Sequence, residues 1–339
     1  MSDAALLDEF SRRFLPHLEA EMRAVINDGA QPRLFNVMLN YHLGFTDSDG
    51  APTAAAAGKR IRPMLTLLSC EACGGDWQLA LPAAAAIELL HNFSLIHDDI
   101  EDRDELRRGR PTLWKLWGEA QAINAGDAMF ALAHLALLRA PADPARLMRA
   151  MRVFEQMCIQ LTIGQHLDLS FESRSDVTAE EYLRMIEGKT AALTAAACEI
   201  GALLGGGDEA TVRALAGFGR WLGIAFQLQD DVLGIWGDPA LTGKQDSDLA
   251  NGKKTLPVLY AAERDPRVRA YYVHNGRPDG AEVAHIRALI EAAGGKDHAE
   301  RAAREAYASA LAALDAAGLN NPAGQALRAL AERLVERRR

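Results

Sequence analysis

The chain has 339 residues, 49% hydrophobic and 24% charged, with a net charge of −9. These proportions are ordinary for a folded globular protein. The acidity argues against nucleic-acid binding, which needs a basic footprint. Ala is abundant and aromatics make up 6%; Ala is the strongest helix former, so the composition leans to an all-α protein.

The opening MSDAALLDEF is acidic, with no basic segment leading into an apolar one, so it does not read as a signal peptide. Helical periodicity covers about 3–28 and 32–43, and GFTDSDGAP then breaks the pattern. Pro63 suits the first turn of a helix reaching about Cys73, and Pro82 the start of one running through AAAAIELLHNFSLIHDDIED. Further helices are expected over 118–138, 143–170, 178–204, 208–235 and 254–263, with two more near the C-terminus. Short polar loops separate them: GRPT at 109–112, GGGD at 205–208 and GDPALTGKQDSD at 237–248. No segment has the two-residue period of a strand. The most apolar window, Ala191 to Leu204, contains Glu199 and is shorter than the roughly 20 residues that span a bilayer. No linker rich in Pro, Gly or Ser divides the chain, so 1–339 reads as a single domain. Cys70 and Cys73 form a CxxC without a second metal-ligand pair. Together with Cys158 and Cys198 they read as buried, reduced thiols of a cytoplasmic protein.

Two apolar helices end in paired aspartates. In Asp98-Asp99-Ile100-Glu101-Asp102, Asp98 and Asp102 lie one turn apart on one face. Like charges at that spacing repel, and carboxylates at the end of a buried helix need a cation. Mg2+ takes such oxygen ligands together with substrate phosphates. The second cluster, Gln229-Asp230-Asp231-Val232-Leu233-Gly234, follows GIAFQL and has Gly234 where the first has Asp102. Either cluster alone also fits a solvated acidic helix end.

Basic residues fall near these clusters. Lys59 and Arg62 lie in GKRIRP, Arg107 and Arg108 in LRRGRPT, Lys189 and Thr190 in EGKT; Lys244 and Lys253 flank QDSDLANG. Arg pairs with phosphate in a bidentate fork and Lys as a mobile point charge. Neither GKT nor GKKT is a P-loop, because the required upstream Gly is absent.

In the order GKRIRP, ELLHNFSLIHDDIED, LRRGRPT, GQHLDL, GKT, FQLQDD and GKKTLP, the chain resembles the trans-isoprenyl diphosphate synthases, the family of farnesyl and geranylgeranyl diphosphate synthases. The resemblance implies an all-α class I isoprenoid synthase fold, an antiparallel helix bundle around a central apolar cavity, in a homodimer with no stable membrane anchor. It implies condensation of isopentenyl diphosphate with an allylic diphosphate, dependent on three Mg2+. Asp98 and Asp102 would hold two ions and Asp230 the third, with Asp99 supporting the site from behind. Lys59, Arg62, His91 and Arg108 would bind the diphosphate of isopentenyl diphosphate. Arg107, Lys189, Gln227, Lys244 and Lys253 would bind the allylic diphosphate, and Thr190, Gln165 and Phe226 would line the reaction zone. The released diphosphate would accept the final proton. Gly234 departs from the many relatives that have Asp there.

Ser94 lies one turn below Asp98 on the same face, and Phe93 is its bulky neighbour. That pairing, with no insertion in DDIED, is similar to the archaeal-type geranylgeranyl synthases. It implies a C20 product, leaving C15 and C25 open. Two other activities fit parts of the pattern. A class I terpene cyclase would have no need of the second diphosphate site formed by Lys59, Arg62, His91 and Arg108. A non-catalytic partner subunit would be expected to have lost more ligands than the one at Gly234.

Overall fold

The computed structural model describes residues 2–29, 31–53, 58–237, 248–273 and 280–335, with the side chains at 272, 273 and 281 left out. The chain resolves into two compact units. Unit 1 comprises residues 1–153, 197–212 and 319–327; unit 2 comprises 154–196, 213–318 and 328–339. Four of the five boundaries between them fall inside helices, and the fifth, after residue 318, falls between two helices.

In unit 1, α1 (Asp3–Ile26) starts at Ser2, whose hydroxyl accepts from the Ala5 amide. Its Leu7, Phe14, Leu18, Val25 and Ile26 form one buried stripe. α2 (Arg33–His42) leads through a turn to α3 (Ile61–Ala72), and a short 3-10 turn over Trp77–Ala80 enters α4 (Leu81–Glu101) with Pro82 in the first turn. α4 is buried over Pro82–Leu90. Among the described residues, Trp77–Glu101 is the one helical stretch long and apolar enough to cross a bilayer, yet 67% of its most apolar window lies inside the protein. It is packed as a core helix, against α1, α3 and α6.

After α4 comes an element absent from the sequence expectations. β1 (Leu106–Arg107) and β2 (Arg110–Pro111) pair antiparallel as a two-residue hairpin. Its corner, Arg108 and Gly109, has φ of 54° and 75°, as a mirror-image hairpin turn requires. Strands of two residues are too short to show a period. α5 (Leu113–Trp117) and α6 (Glu119–Leu138) follow, then α7 (Pro144–Ser173), which continues into unit 2. The unit-1 part of α9 (Ala192–Leu204) meets α3 through glycine. A Cβ on Gly201 would stand 2.2 Å from the Thr66 carbonyl oxygen, and one on Gly205 2.4 Å from that of Cys70. The four cysteines are free thiols. Burial pushes Cys70, Cys158 and Cys198 up to about 12 and Cys73 to about 11, so they stay protonated and inert.

In unit 2, the expected helix over 178–204 is interrupted. α8 (Ala179–Ile186), opened by a Thr178–Glu181 capping box, passes into a π-helical turn over Glu187–Ala191 before α9. α10 (Glu209–Trp236) enters from unit 1. Among the described residues the C-terminal region holds five helices: α11 (Leu256–Arg264), α12 (Pro266–Val273), α13 (Gly280–Ala292), α14 (Gly295–Ala316) and α15 (Pro322–Val335), the last divided between the units. Two helices were expected beyond the first of these and four are present; Pro266, Gly294 with Gly295, and Pro322 punctuate them. One apolar core gathers Tyr182, Met185, Ile224, Leu228, Val232 and Ala303; another gathers Ile235, Leu249, Val258, Val268, Ile286 and Ile290.

Candidate active site

Unit 1 brings the first aspartate cluster together with four of the predicted cations. The Asp102 amide donates to the Asp98 carbonyl at 2.8 Å, so the helix holds to its last turn and the one-turn spacing of these side chains is real. Asp98 is half-buried and Asp102 exposed. Between them Asp99 is 1% exposed. Its Oδ1 accepts from Arg107 Nε at 2.5 Å, while Oδ2 is buried without a protein partner. Burial raises the Asp99 carboxyl to about 7, against the pull of Arg107. Asp99 thus turns inward and anchors the hairpin to the end of α4.

The hairpin carries the cations. The Arg108 guanidinium lies over Gly58, where a Cβ would meet Nη2 at 2.7 Å. This contact ties LRRGRPT to GKRIRP and sets the exposed Lys59 next to Arg108. Arg62 Nη1 stands 3.2 Å from His91 Nε2. A guanidinium only donates, so Nε2 is the acceptor and the proton of the neutral ring sits on Nδ1. Burial, with Arg62, Arg108 and Arg107 nearby, drives the His91 pKa well below its ordinary value; burial, with Arg107, Arg108 and Arg60 nearby, does the same to His42.

Beneath these groups lies a pair absent from the expected site. Arg60 Nη1 meets Glu88 Oε1 at 2.6 Å with both side chains almost fully buried, and Arg60 Nη2 donates to the Leu43 carbonyl at 2.9 Å. Asn92 Nδ2 donates to the Glu88 carbonyl. Arg60 takes a left-handed φ of 49° as it opens α3. Glu88, a lone charge within an apolar run, was the sequence signal for such a pair.

Unit 2 builds the second cluster with different chemistry. Asp230 is half-buried. Asp231 is 2% exposed; its Oδ2 accepts from the Tyr182 hydroxyl and its Oδ1 from Gln227 Nε2 at 3.1 Å. Burial raises Asp231 to about 7, with Tyr182 and Gln227 opposing. Thr190 Oγ1 donates to Gln227 Oε1 at 2.9 Å, joining the π turn to α10. Lys189 Nζ meets Asp168 Oδ2 at 2.5 Å. That turn is held by a close backbone crossing: a Cβ on Gly164 would stand 2.1 Å from Lys189 N, and one on Gly188 2.6 Å from the Gln160 carbonyl oxygen. Turns of this kind recur at functional sites.

Gly234 also has a local reason. A Cβ there would stand 1.9 Å from Asp248 Oδ2, so the space a fifth-position side chain would need is filled by a carboxylate from the segment after α10. The Asp248 amide donates to the Gly234 carbonyl, and the Lys253 amide to that of Asp248. Lys253 is exposed, Gln165 and Phe226 half-buried, and Lys244 falls outside the described residues. Asp168, Tyr182 and Asp248 were not among the expected site residues; Asp168 lay in the quoted GQHLDL, while Tyr182 and Asp248 reach Asp231 and Gly234 only through the fold.

Residues 51–293 match the Polyprenyl synthetase family. The chain is 42% identical to a (2E,6E)-farnesyl diphosphate synthase of Mycobacterium tuberculosis, over 97% of this chain and 95% of the relative. It is 44% identical to a geranylgeranyl diphosphate synthase of the same organism, over 82% of this chain and 80% of the relative. Its structure is similar to that of a geranylgeranyl pyrophosphate synthetase from Pyrococcus horikoshii, with a TM-score of 0.89, 35% identity and 99% of each chain covered.

Proposed function

Because the chain belongs to the polyprenyl synthetase family and is a prenyltransferase that elongates prenyl chains on the all-α isoprenoid synthase fold, we propose the following division of labour among its residues. Lys59, Arg62, His91 and Arg108 bind the diphosphate of isopentenyl diphosphate. Arg107, Lys189, Gln227, Lys244 and Lys253 bind the diphosphate of the allylic substrate. The observation that carries this reading is the Arg107–Asp99 bond. It fastens the guanidiniums of the hairpin to the end of α4, beside Asp98 and Asp102. A cyclase has no use for Arg62, His91 and Arg108 as a further anion site.

The donor set fits Mg2+: carboxylate oxygens one turn apart at a solvent-reaching helix end, with a buried aspartate behind them committed to Arg107. Asp98 and Asp102 would hold two ions and Asp230 a third. Bound there, Mg2+ supplies Lewis-acid neutralisation of the departing diphosphate. The protein's own groups do the rest. Arg107 and Lys189 meet the charge that develops as the allylic C–O bond breaks. His91, neutral and hydrogen-bonded to Arg62, holds that guanidinium in place for isopentenyl diphosphate. The double bond of isopentenyl diphosphate then attacks the allylic cation, and the proton lost from the new chain goes to the released diphosphate. Thr190, Gln165 and Phe226 line the reaction zone, and the apolar faces keep water from the cation.

The product is C20, set by Phe93 below Ser94, with C15 the neighbouring outcome. The two units act as one domain, a reading supported by the four helices, α7, α9, α10 and α15, that run through their boundaries. The chain works as a homodimer, supported by the exposed Ile123, Leu135 and Leu138 of α6 and Met148, Ile159 and Ile163 of α7. It works in the cytoplasm, a reading supported by its four cysteines being free thiols. The test is to supply labelled isopentenyl diphosphate, Mg2+ and each of the C5, C10 and C15 allylic diphosphates, then measure product length. A C20 product that lengthens in Phe93→Ala upholds the reading. A defined product whose length ignores Phe93→Ala removes Phe93 from it.

A further inference from the structure

The hairpin is held on two sides. On one side Arg107 is fastened to Asp99 at the end of α4. On the other the pin is Arg110, the first residue of β2 and the direct cross-strand neighbour of Arg107. Like charges facing each other across two strands repel, and here each guanidinium is drawn off to its own partner. Arg110 Nη2 donates to the Thr46 carbonyl at 2.8 Å and Nη1 to the Tyr41 carbonyl at 3.2 Å. Its guanidinium lies over the Tyr41 ring, 3.8 Å from the centroid. The buried Tyr41 answers in kind: its hydroxyl donates to the Pro111 carbonyl at 2.8 Å. Tyr41 stands in the last turn of α2, where helix carbonyls favour a cation.

The same stretch receives a guanidinium from the other basic motif. Arg60 Nη2 donates to the Leu43 carbonyl. GKRIRP and LRRGRPT thus each commit one arginine to the carbonyls of residues 41–46, which sets the spacing between their remaining cations. The hairpin corner needs such support. Arg108 has a φ of 54°, a left-handed conformation disfavoured for a residue with a side chain and kept only where surrounding contacts over-determine it. Asp99 ties the strand before the corner, and Tyr41 with Arg110 ties the strand after it.

We propose that Arg110 is a positioning residue for isopentenyl diphosphate: it locks β2 to the end of α2 and so holds Arg108 in place over Gly58. This rests on the reading of Arg108 as a ligand of that diphosphate. The experiment measures kcat and the KM of each substrate for wild type, Arg110→Met, Arg110→Lys and Arg108→Gln. Arg110→Met keeps an apolar body over Tyr41 and removes the guanidinium fork. Its KM for isopentenyl diphosphate is expected to rise about tenfold, the scale of one hydrogen bond to a charged group. Its KM for the allylic diphosphate is expected to stay within about twofold, because Arg107 keeps Asp99. Arg110→Lys, which can still donate to the Thr46 carbonyl, is expected to recover much of the loss. A merely structural role would not separate the two substrates. If Arg110→Met fails to fold, judged by its circular dichroism, Arg110→Gln is read instead and should show the same split. No rise, or an equal rise for both substrates, while Arg108→Gln weakens isopentenyl diphosphate alone, overturns the proposal and leaves the reading of the site intact. An unchanged KM in Arg108→Gln removes Arg108 from the site and the proposal with it.

Discussion

The two aspartate clusters share a sequence pattern and differ in what supports them. In each, the second aspartate is buried and raised to about 7. Asp99 is held by a cation, Arg107, which also joins α4 to the hairpin. Asp231 is held by two neutral donors, Tyr182 and Gln227, and Gln227 joins it to the π turn. The first cluster keeps its fifth-position carboxylate, Asp102, at a helix end; at the second, Asp248 fills the space beside Gly234. A short acidic motif therefore fixes which carboxylates face outward, while the long-range partner decides how firmly the backbone behind them is held.

This contrast can be broken by substitution. The largest effect on stability is expected from Arg107→Ala, which leaves Asp99 buried beside no cation. Losing one partner of a buried pair costs about 3 kcal/mol, read as the shift in a urea unfolding midpoint. Restoring the fifth-position aspartate with Gly234→Asp should hurt rather than help. The new side chain would collide with the Asp248 carboxylate, at a cost of about 2 kcal/mol. The double variant Gly234→Asp/Asp248→Gly should regain most of that loss; a stable, fully active Gly234→Asp would contradict the account. Tyr182→Phe removes one neutral hydrogen bond and should cost about 1 kcal/mol, less than Arg107→Ala. Equal losses in the two variants would erase the distinction between the clusters.

A further effect concerns pH. His42 and His91 are neutral in the fold with pKa values below the ordinary 6.5. Below 6.5 the unfolded chain takes up protons that the fold refuses, so acid destabilises through these groups. The limit is about 1.4 kcal/mol per pH unit for each. Above 6.5 both states are neutral and the effect vanishes. Asp99 works in the opposite sense, since its raised pKa lets the fold hold a proton that the unfolded chain has released. The His42→Gln/His91→Gln variant should therefore lose less stability than wild type between pH 7 and pH 5.5. A parallel loss would show that the two rings do not titrate this way.

Much of this was legible in the sequence, and what was missed has identifiable causes. α4 and α10 announced themselves by apolar runs ending in Asp98-Asp99 and Asp230-Asp231, and the order of the basic motifs pointed to the family. The hairpin at Arg108 was hidden because two-residue strands have no period. The π turn at Lys189 follows from the backbone approach of Gly164 and Gly188, distant in sequence and close in the fold. Asp248 and Tyr182 were invisible for the same reason. Glu88 could have been found, because a charge amid AAAAI and LL must be paired.

The most direct test of the central claim is incorporation of labelled isopentenyl diphosphate at saturating Mg2+ by wild type, Asp98→Asn and Asp230→Asn, all confirmed folded. The account predicts efficient turnover by wild type and losses of roughly 10²–10³-fold or more in each variant, the scale of removing one group that stabilises transition-state charge. Turnover within a few-fold of wild type in either variant would contradict the claim that both clusters serve one reaction.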